Sequence, residues 1–177
     1  MYSSATIEHL PVWDPERKSE TDRAVVDYIK IQGDAVPPSP QYPLPANLGD
    51  EVALLGYDLT PTVVAPGEAI RLTLYWKAQR AIERDYTVFV HLIDGAEQIW
   101  GQKDNQPEEG FYPTSHWDIG EVVKDGYEVL VEPDTPPGRY RLEIGMYLLA
   151  TGERLSVLDE EGQPMADRVL LSEVRVR

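Results

Sequence analysis

Carboxylate side chains are the residues of this chain most able to do chemistry, and many of them fall in one stretch. The stretch runs from Asp104 to Tyr127, reads DNQPEEGFYPTSHWDIGEVVKDGY, and holds these acidic residues: Asp104, Glu108, Glu109, Asp118, Glu121 and Asp125. Paired carboxylates can catalyse glycoside hydrolysis, and clustered oxygens can hold calcium. Acidic residues are common throughout the chain, however, and the EF-hand spacing is absent. A glycosidase and a structural calcium ion are therefore remote alternatives, and we predict no catalytic residue, no metal site and no cofactor.

The histidines do not predict a nucleophilic centre. His91 lies in the middle of an alternating apolar pattern, which favours a hydrogen-bonded structural role over a ligand or a base. Ser115, His116 and Asp118 resemble a catalytic triad by type, but near-adjacent residues on an extended segment point apart and cannot bond in series. The sequence also lacks a glycine-rich phosphate loop and a dinucleotide fingerprint. We therefore expect that the chain is not an enzyme.

Aromatic residues are the better functional signal in the same region. Rings stack on the C–H faces of a pyranose, while neighbouring polar side chains bond to its hydroxyl groups. Phe111 is one of the aromatic residues of the stretch, and the predicted carbohydrate-binding residues are Trp100, Gln102, Asp104, Asn105, Tyr112 and Trp117. This hypothesis requires the three rings of that set to form one exposed patch. The alternative, which we favour for Trp117, is that its ring plugs one end of the fold.

Composition limits the classes of partner. The chain has 177 residues, of which 42% are hydrophobic, so it can hold one domain with a real core. Its 31 acidic residues outnumber its 16 basic residues and give a formal net charge of -15, which repels phosphate backbones and anionic lipids. We therefore expect no nucleic-acid partner. No apolar run approaches the roughly 20 residues that span a bilayer, so we expect no membrane insertion by this chain.

Apolar residues recur at every second position in several segments, which predicts half-buried strands. The clearest segments are Ile70 to Trp76 and Tyr140 to Leu148, whereas Tyr86 to Ile93 is apolar on both faces and predicts a central strand. Val169 to Val176 is predicted to be the final strand. Seven or eight short strands without a long amphipathic helix predict an all-β, antiparallel β-sandwich. An immunoglobulin-like sandwich is the first choice and a jelly roll the second. In such a fold the Asp104 to Tyr127 stretch becomes the long crossover between the two sheets.

An internal match predicts the domain organisation. Leu10 to Gln32 aligns without a gap with Leu155 to Arg177 at an offset of 145 residues, and six positions are identical. We therefore predict that residues 1–33 are a closing β-hairpin that resembles the tail of a preceding repeat, although a coincidental likeness of two hairpins is the alternative. Residues 34–47 carry five prolines and predict an extended linker. Residues 48–177 are then the β-sandwich module.

The apolar strand expected at Ala24 to Ile31 has no domain of its own in this chain. Such a strand should seek a sheet edge, either on the main sandwich or in a second copy of the chain. The alternative function is therefore a protein–protein interaction module that self-associates by strand addition through the N-terminal hairpin.

Several motifs together resemble a known type of module. They are LLGYDLTP, LTLYWKA, YTVFVHLID, the acidic stretch quoted above, and PPGRYRLEIGMY followed by GERLSV. They resemble an uncharacterised β-sandwich module of bacterial proteins. Similar modules occur as soluble, often repeated regions attached to large membrane proteins that look like family 39 (protein-mannosyltransferase-like) glycosyltransferases. The resemblance implies a non-catalytic, extracytoplasmic or cell-surface domain that serves as a spacer or in weak carbohydrate recognition, and it carries over no binding residue.

Overall fold

The computed structural model describes residues 12–14, 19–21 and 38–177. These residues belong to two compact units, Met1–Pro37 and Pro38–Arg177. In the first unit the described residues form an antiparallel pair of strands, β1 (Val12–Asp14) and β2 (Ser19–Thr21), in which Val12 lies opposite Thr21. In the described chain no helix is long and apolar enough to cross a membrane.

The second unit is a sandwich of two sheets, which confirms the predicted all-β, antiparallel β-sandwich. The strands in chain order are β3 (Tyr42–Leu48), β4 (Val52–Thr60), β5 (Val63–Val64), β6 (Ala69–Ala78), β7 (Tyr86–Ile93), β8 (Ile99–Asn105), β9 (Val122–Leu130), β10 (Gly138–Leu148), β11 (Val157–Leu158), β12 (Pro164–Ala166) and β13 (Val169–Val176). One sheet has the order β5-β13-β10-β7-β8 and the other β12-β11-β3-β4-β6-β9. All pairings are antiparallel except that of β5 with β13. Short pieces such as β5, β11 and β12 raise the number of strands above the predicted seven or eight.

The core lies between the inner faces of the two sheets, as the alternation predicts. On β6 the even-numbered residues from Ile70 to Trp76 are buried, and Trp76 is fully enclosed. All eight residues of β7 are buried, and this strand lies between β10 and β8. The two-faced apolar pattern of Tyr86–Ile93 therefore does mark a central strand.

The linker prediction is wrong for residues 42–47, because they form most of strand β3. This strand pairs with β4 but meets β11 only at Asn47 and Leu48. Pro43 and Pro45 therefore have no partner strand on the far side, and the register with β4 is interrupted between Pro43 and Ala46. Proline lacks a backbone N–H donor, but it is tolerated where a strand is paired on one side only and its register is irregular. The sandwich thus begins before Leu48.

Candidate functional site

The candidate site is built around the crossover, residues 106–121, which joins β8 in one sheet to β9 in the other. Its position confirms the expected connection between the sheets. Two short 3-10 turns, Glu108–Gly110 and Thr114–His116, shape it. The first turn begins after Pro107 and ends at Phe111, whose amide donates to the Glu108 carbonyl.

The first turn has an unusual backbone. Glu108, Glu109 and Gly110 have φ angles of 52°, 56° and 85°. Only glycine adopts positive φ freely, so the two glutamates each cost about 1 kcal/mol or more. Such strain persists only where the surroundings hold it, and it concentrates at binding and active sites.

The carboxylate of Asp125, on β9, anchors the strained turn through a hydrogen bond. Its Oδ1 accepts a 2.9 Å hydrogen bond from the Glu108 amide, and its Oδ2 accepts a 2.6 Å bond from the Tyr127 hydroxyl. The side chain points into the sandwich and is 1% exposed. Burial raises the pKa of Asp125, and it outweighs the hydrogen bonds, which favour the charged form. The indole Nε1 of Trp76 also favours the charge, but it lacks the geometry of a hydrogen bond.

An open groove of about 420 Å³ lies between this turn and the outer face of the six-stranded sheet. It is lined by Thr73, Glu108, Glu109, Phe111, Lys124 and Gly126. The Phe111 ring is 84% exposed, which is exceptional for an aromatic residue with no polar atom on its side chain. The groove therefore presents a free ring beside two carboxylates, a hydroxyl and an ammonium group.

The charges of the groove influence one another. Partial burial raises the pKa of Glu108, and the negative charges of Asp125 and Glu109 add to this effect, whereas Lys124 opposes it. The Lys124 Nζ lies 6.0 Å from the centroid of the Tyr75 ring. Among the described residues Lys124 has no ion-pair partner, so its ammonium can still donate to a ligand.

The predicted aromatic patch is not formed, because Trp117 is buried. Its ring is 4% exposed, and its Nε1 donates to the Tyr112 carbonyl at 3.1 Å. Tyr112 is half-buried 6.5 Å from Trp117, and its hydroxyl bonds to both oxygens of Glu121 at 2.8 and 3.0 Å. These two rings fasten the crossover to the sandwich, as the alternative for Trp117 proposed.

Trp100 lies apart from that pair. It is a half-buried residue of β8 whose Nε1 donates to Asp94 Oδ2 at 3.0 Å, and its ring meets Tyr140 edge to face. The exposed surface that the carbohydrate hypothesis required from Trp100, Tyr112 and Trp117 is therefore absent.

The polar members of the predicted set do not converge on the groove either. Gln102 and Asp104 lie opposite His91 and Phe89 on the outer face of the five-stranded sheet. Asp104 contacts His91 Nε2 at 3.2 Å, so its carboxylate is already engaged. Asn105 is half-buried at the end of β8. None of the six predicted residues lines the groove.

His91 is hydrogen-bonded on both sides, in keeping with the structural role favoured by the sequence. Its Nδ1 lies 3.0 Å from Glu143 Oε1, and Arg168 Nη1 donates to Glu143 Oε2 at 2.7 Å. Burial lowers the pKa of His91, but the bonds to Asp104 and Glu143 outweigh it and the net pKa is raised. The outward-facing Glu143 is 4% exposed, because Arg168 and His91 cover it.

Sequence reasoning places Glu108 and Glu109 among the acidic residues of the stretch and Phe111 among its aromatic residues, but it does not predict that they line one binding site. The Pro107-to-Gly110 segment marks a turn, which is the one local signal for the exposure of Phe111. In the described part of the chain no group of three or more His, Asp or Glu side chains is arranged to hold a metal ion.

No protein-family model and no curated protein matches this chain. Among solved structures it is similar to the Pseudomonas fluorescens alkylpurine DNA glycosylase AlkC bound to DNA containing an abasic site analog, at 17% identity and a TM-score of 0.44. That match covers 72% of this chain and 30% of the glycosylase. The chain is also similar to the CARDB domain of the PF1109 protein from Pyrococcus furiosus, in complex with di-metal ions, at 12% identity and a TM-score of 0.42, over 77% of this chain and 96% of that domain.

A third similar structure is a β-glucosidase from Listeria innocua in complex with glucose. The identity is 15% and the TM-score 0.39, over 68% of this chain and 16% of the glucosidase. The chain thus spans less than a third of the glycosylase and of the glucosidase. These likenesses are too distant to bring a ligand or an activity to this chain.

Proposed function

We propose that this β-sandwich is a non-catalytic module of a larger cell-surface protein and that it recognises carbohydrate weakly through the groove beside Phe111. The observation that carries the proposal is the 84% exposed Phe111 ring beside a strained turn that a buried carboxylate holds in place. The turn that carries the ring is fixed before a sugar arrives, which reduces the ordering cost of binding.

The groove chemistry suits a neutral saccharide. A pyranose can lay its C–H face on Phe111, Glu108 and Glu109 can accept hydrogen bonds from its hydroxyls, and Lys124 can donate to them. A volume of about 420 Å³ lies within the range of small-ligand sites. The groove is open rather than enclosed, so the affinity should be low.

The absence of catalysis is part of the proposal. Hydrolysis of a glycosidic bond needs two carboxyl groups that face each other across the substrate, roughly 5 to 10 Å apart. The acidic residues that line this groove, Glu108 and Glu109, are neighbours on one turn, and Thr73, Lys124 and Gly126 line the opposite side. Such an arrangement suits binding better than acid–base chemistry.

The module fits a tandem array. At the offset of 145 residues, β1 and β2 coincide with the ends of the β11–β12 hairpin, and the pair Val12 and Thr21 corresponds to Val157 and Ala166. This agreement in register supports residues 1–33 as the closing hairpin of a preceding repeat. Together with the resemblance to modules on family 39-like membrane glycosyltransferases, it supports an extracytoplasmic location for the array.

Phe111→Ala tests the carbohydrate proposal. We expect the full chain to bind at least one neutral hexasaccharide of a set made of cello-, xylo-, manno- and chito-oligomers, and the variant to bind it about fivefold more weakly, since a lost stacking contact is worth about 1 kcal/mol. Isothermal titration calorimetry measures both affinities. Ile119→Ala, which truncates another exposed apolar residue of the crossover that is 68% exposed and outside the groove, is the matched control and should bind like the wild type.

A chain that binds none of the four oligomers contradicts the proposal. Equal affinity of the wild type and the Phe111 variant contradicts the assignment of the groove. If the Phe111 and Ile119 variants lose the same amount of saccharide affinity, the loss comes from a disturbance of the whole crossover. That result would also contradict binding in the groove.

A strand-addition module is the second candidate function, because β9 is an edge strand nine residues long. A long edge strand offers unpaired backbone groups to another chain. We expect light scattering to show a concentration-dependent dimer for the full chain and a monomer for a chain that starts at Pro38, which keeps β3 intact. A monomer in both samples would rule out self-association through the N-terminal hairpin.

A further inference from the structure

Three arginines lie on the outer face of β10 and β13, and a fourth directly follows β13, in a chain whose formal net charge is -15. Arg139 and Arg175 are directly opposite each other across the two strands, and Arg141 lies opposite Glu173. Arg177 follows two residues after Arg175 and shares its face. We call Arg139, Arg141, Arg175 and Arg177 the arginine face.

The charge on this face is not balanced. Arg139 bonds to Glu173 at 3.1 Å, in a pair whose side chains are 79% and 43% exposed. Among the described residues Arg141, Arg175 and Arg177 have no ion-pair partner. Like charges directly opposite on neighbouring strands destabilise a sheet. A local excess of positive charge in an acidic protein therefore needs an explanation other than stability.

Two hollows flank the face and share Arg139. One, of about 370 Å³, is lined by Pro137, Gly138, Arg139, Arg175, Val176 and Arg177, with no acidic side chain among them. The other, of about 330 Å³, lies between β10 and the turn after β7 and is lined by Arg141 and Arg168 together with Asp94, Glu97 and Glu173. An anionic ligand would therefore lie mainly in the first hollow, beside Arg139 and Arg175.

The geometry of guanidinium groups defines the ligand chemistry. Each guanidinium can bind a carboxylate, sulfate or phosphate with two parallel hydrogen bonds. Residues two apart on a strand are separated by about 6.7 Å, and neighbouring strands by about 4.8 Å. One small ion cannot reach all four arginines at these spacings, whereas a ligand with repeated acidic groups can. The acidic remainder of the chain repels a long polyanion, so a short one is favoured.

We propose that the arginine face binds a short polyanion that carries two or more carboxylate, sulfate or phosphate groups. This site is separate from the groove at Phe111, since it lies on the outer face of the other sheet. A basic residue also recurs in the internal match, in which Lys30 corresponds to Arg175 at the offset of 145 residues.

The proposal can be tested by calorimetric titration of the full chain at low salt with tripolyphosphate, a sulfated tetrasaccharide and tetragalacturonate. These three ligands show whether the face binds phosphate, sulfate or carboxylate groups. We expect binding of at least one of them. The affinity should fall at least tenfold in the double variant R139Q/R175Q. It should fall less in R139K/R175K, which keeps the positive charges but cannot form the two parallel hydrogen bonds of a guanidinium group. Binding should vanish in about 1 M NaCl, where the screening length is about 3 Å.

Arg71→Gln removes an exposed arginine on the six-stranded sheet and is the matched control. It should bind the polyanion like the wild type, and so should Phe111→Ala, which separates this site from the groove. Thermal melts establish that each variant is folded, and R139Q/R175Q should be at least as stable as the wild type because it loses an opposed like-charge pair. No binding of any of the three polyanions would overturn the proposal, as would equal losses in R71Q and R139Q/R175Q.

Discussion

Glu143→Ala is expected to lower the free energy of unfolding by about 3–5 kcal/mol, as is usual when one partner of a buried ion pair is removed. The Glu143 side chain is 5% exposed, and its two oxygens bond to His91 and Arg168 at 3.0 and 2.7 Å. Without the carboxylate, the His91 ring and part of the Arg168 guanidinium remain in a poorly hydrated place with fewer partners. Urea denaturation at several pH values measures the loss.

The loss should depend on pH. The pKa of His91 is raised in the folded state, so its protonation adds stability that is complete below the unfolded pKa of about 6.5 and fades as the pH rises through the folded value. The difference between wild type and Glu143→Ala should therefore be larger at pH 6 than at pH 9.

The control for this prediction is Glu173→Ala, which removes the exposed partner of Arg139 and should cost less than about 1 kcal/mol. Two outcomes would contradict the described network: a similar loss of unfolding free energy in the Glu143 and Glu173 variants, or a loss in Glu143→Ala that does not change with pH.

Gly101→Ala is expected to lower the free energy of unfolding by about 3 kcal/mol, because a methyl group there has no room. A Cβ on Gly101 would lie 2.5 Å from the Leu130 carbonyl oxygen, which is backbone and cannot rotate away. At this place β8 approaches the end of β9, and the Glu132 amide donates to the Trp100 carbonyl at 2.9 Å. Thermal or urea denaturation measures the loss.

Gly95→Ala is the matched control, because a Cβ on Gly95 meets nothing within 4 Å and its backbone is in an ordinary region. It should change stability by no more than about 0.5 kcal/mol. If Gly101→Ala is as stable as Gly95→Ala, β8 and β9 do not approach as closely as described.

Strands could be predicted where a single rule, the alternation of side chains across a pleated sheet, decides burial. That rule predicts the strands at Ile70 to Trp76 and at Tyr140 to Leu148. Strand β3 was missed because proline content predicts an extended linker. A strand with a partner on one side for most of its length tolerates proline equally well, and only the tertiary pairing separates the two cases.

Burial on the outer faces could not be predicted in the same way. Glu143 and His91 point away from the core, as the alternation requires, yet both are buried because they bond to each other and because Arg168, in the bend between β12 and β13, bonds to Glu143. Asp125 shows the reverse case, a carboxylate that enters the sandwich because the strained turn supplies an amide donor.

The aromatic residues of the crossover show why the site was only partly predicted. Phe111 and Trp117 lie six residues apart in similar polar surroundings. The sequence names Trp117 as a candidate ligand residue, although it favours a structural role for that ring, and it does not include Phe111 in the candidate set. The structure exposes Phe111 and buries Trp117, because the Trp117 indole finds a backbone acceptor in Tyr112 whereas the 108–110 turn carries Phe111 outward. This choice depends on backbone angles that no local pattern encodes.

The most direct test of the carbohydrate site is an amide NMR titration of the full chain with the neutral hexasaccharide that it binds best. We expect shift changes to concentrate at residues 108–111 and 124–126 and at Thr73, and we expect Phe111→Ala to reduce them at every saccharide concentration below saturation. Shift changes centred on Trp100, Gln102 and Asp104, or none at any attainable saccharide concentration, would contradict the site at Phe111.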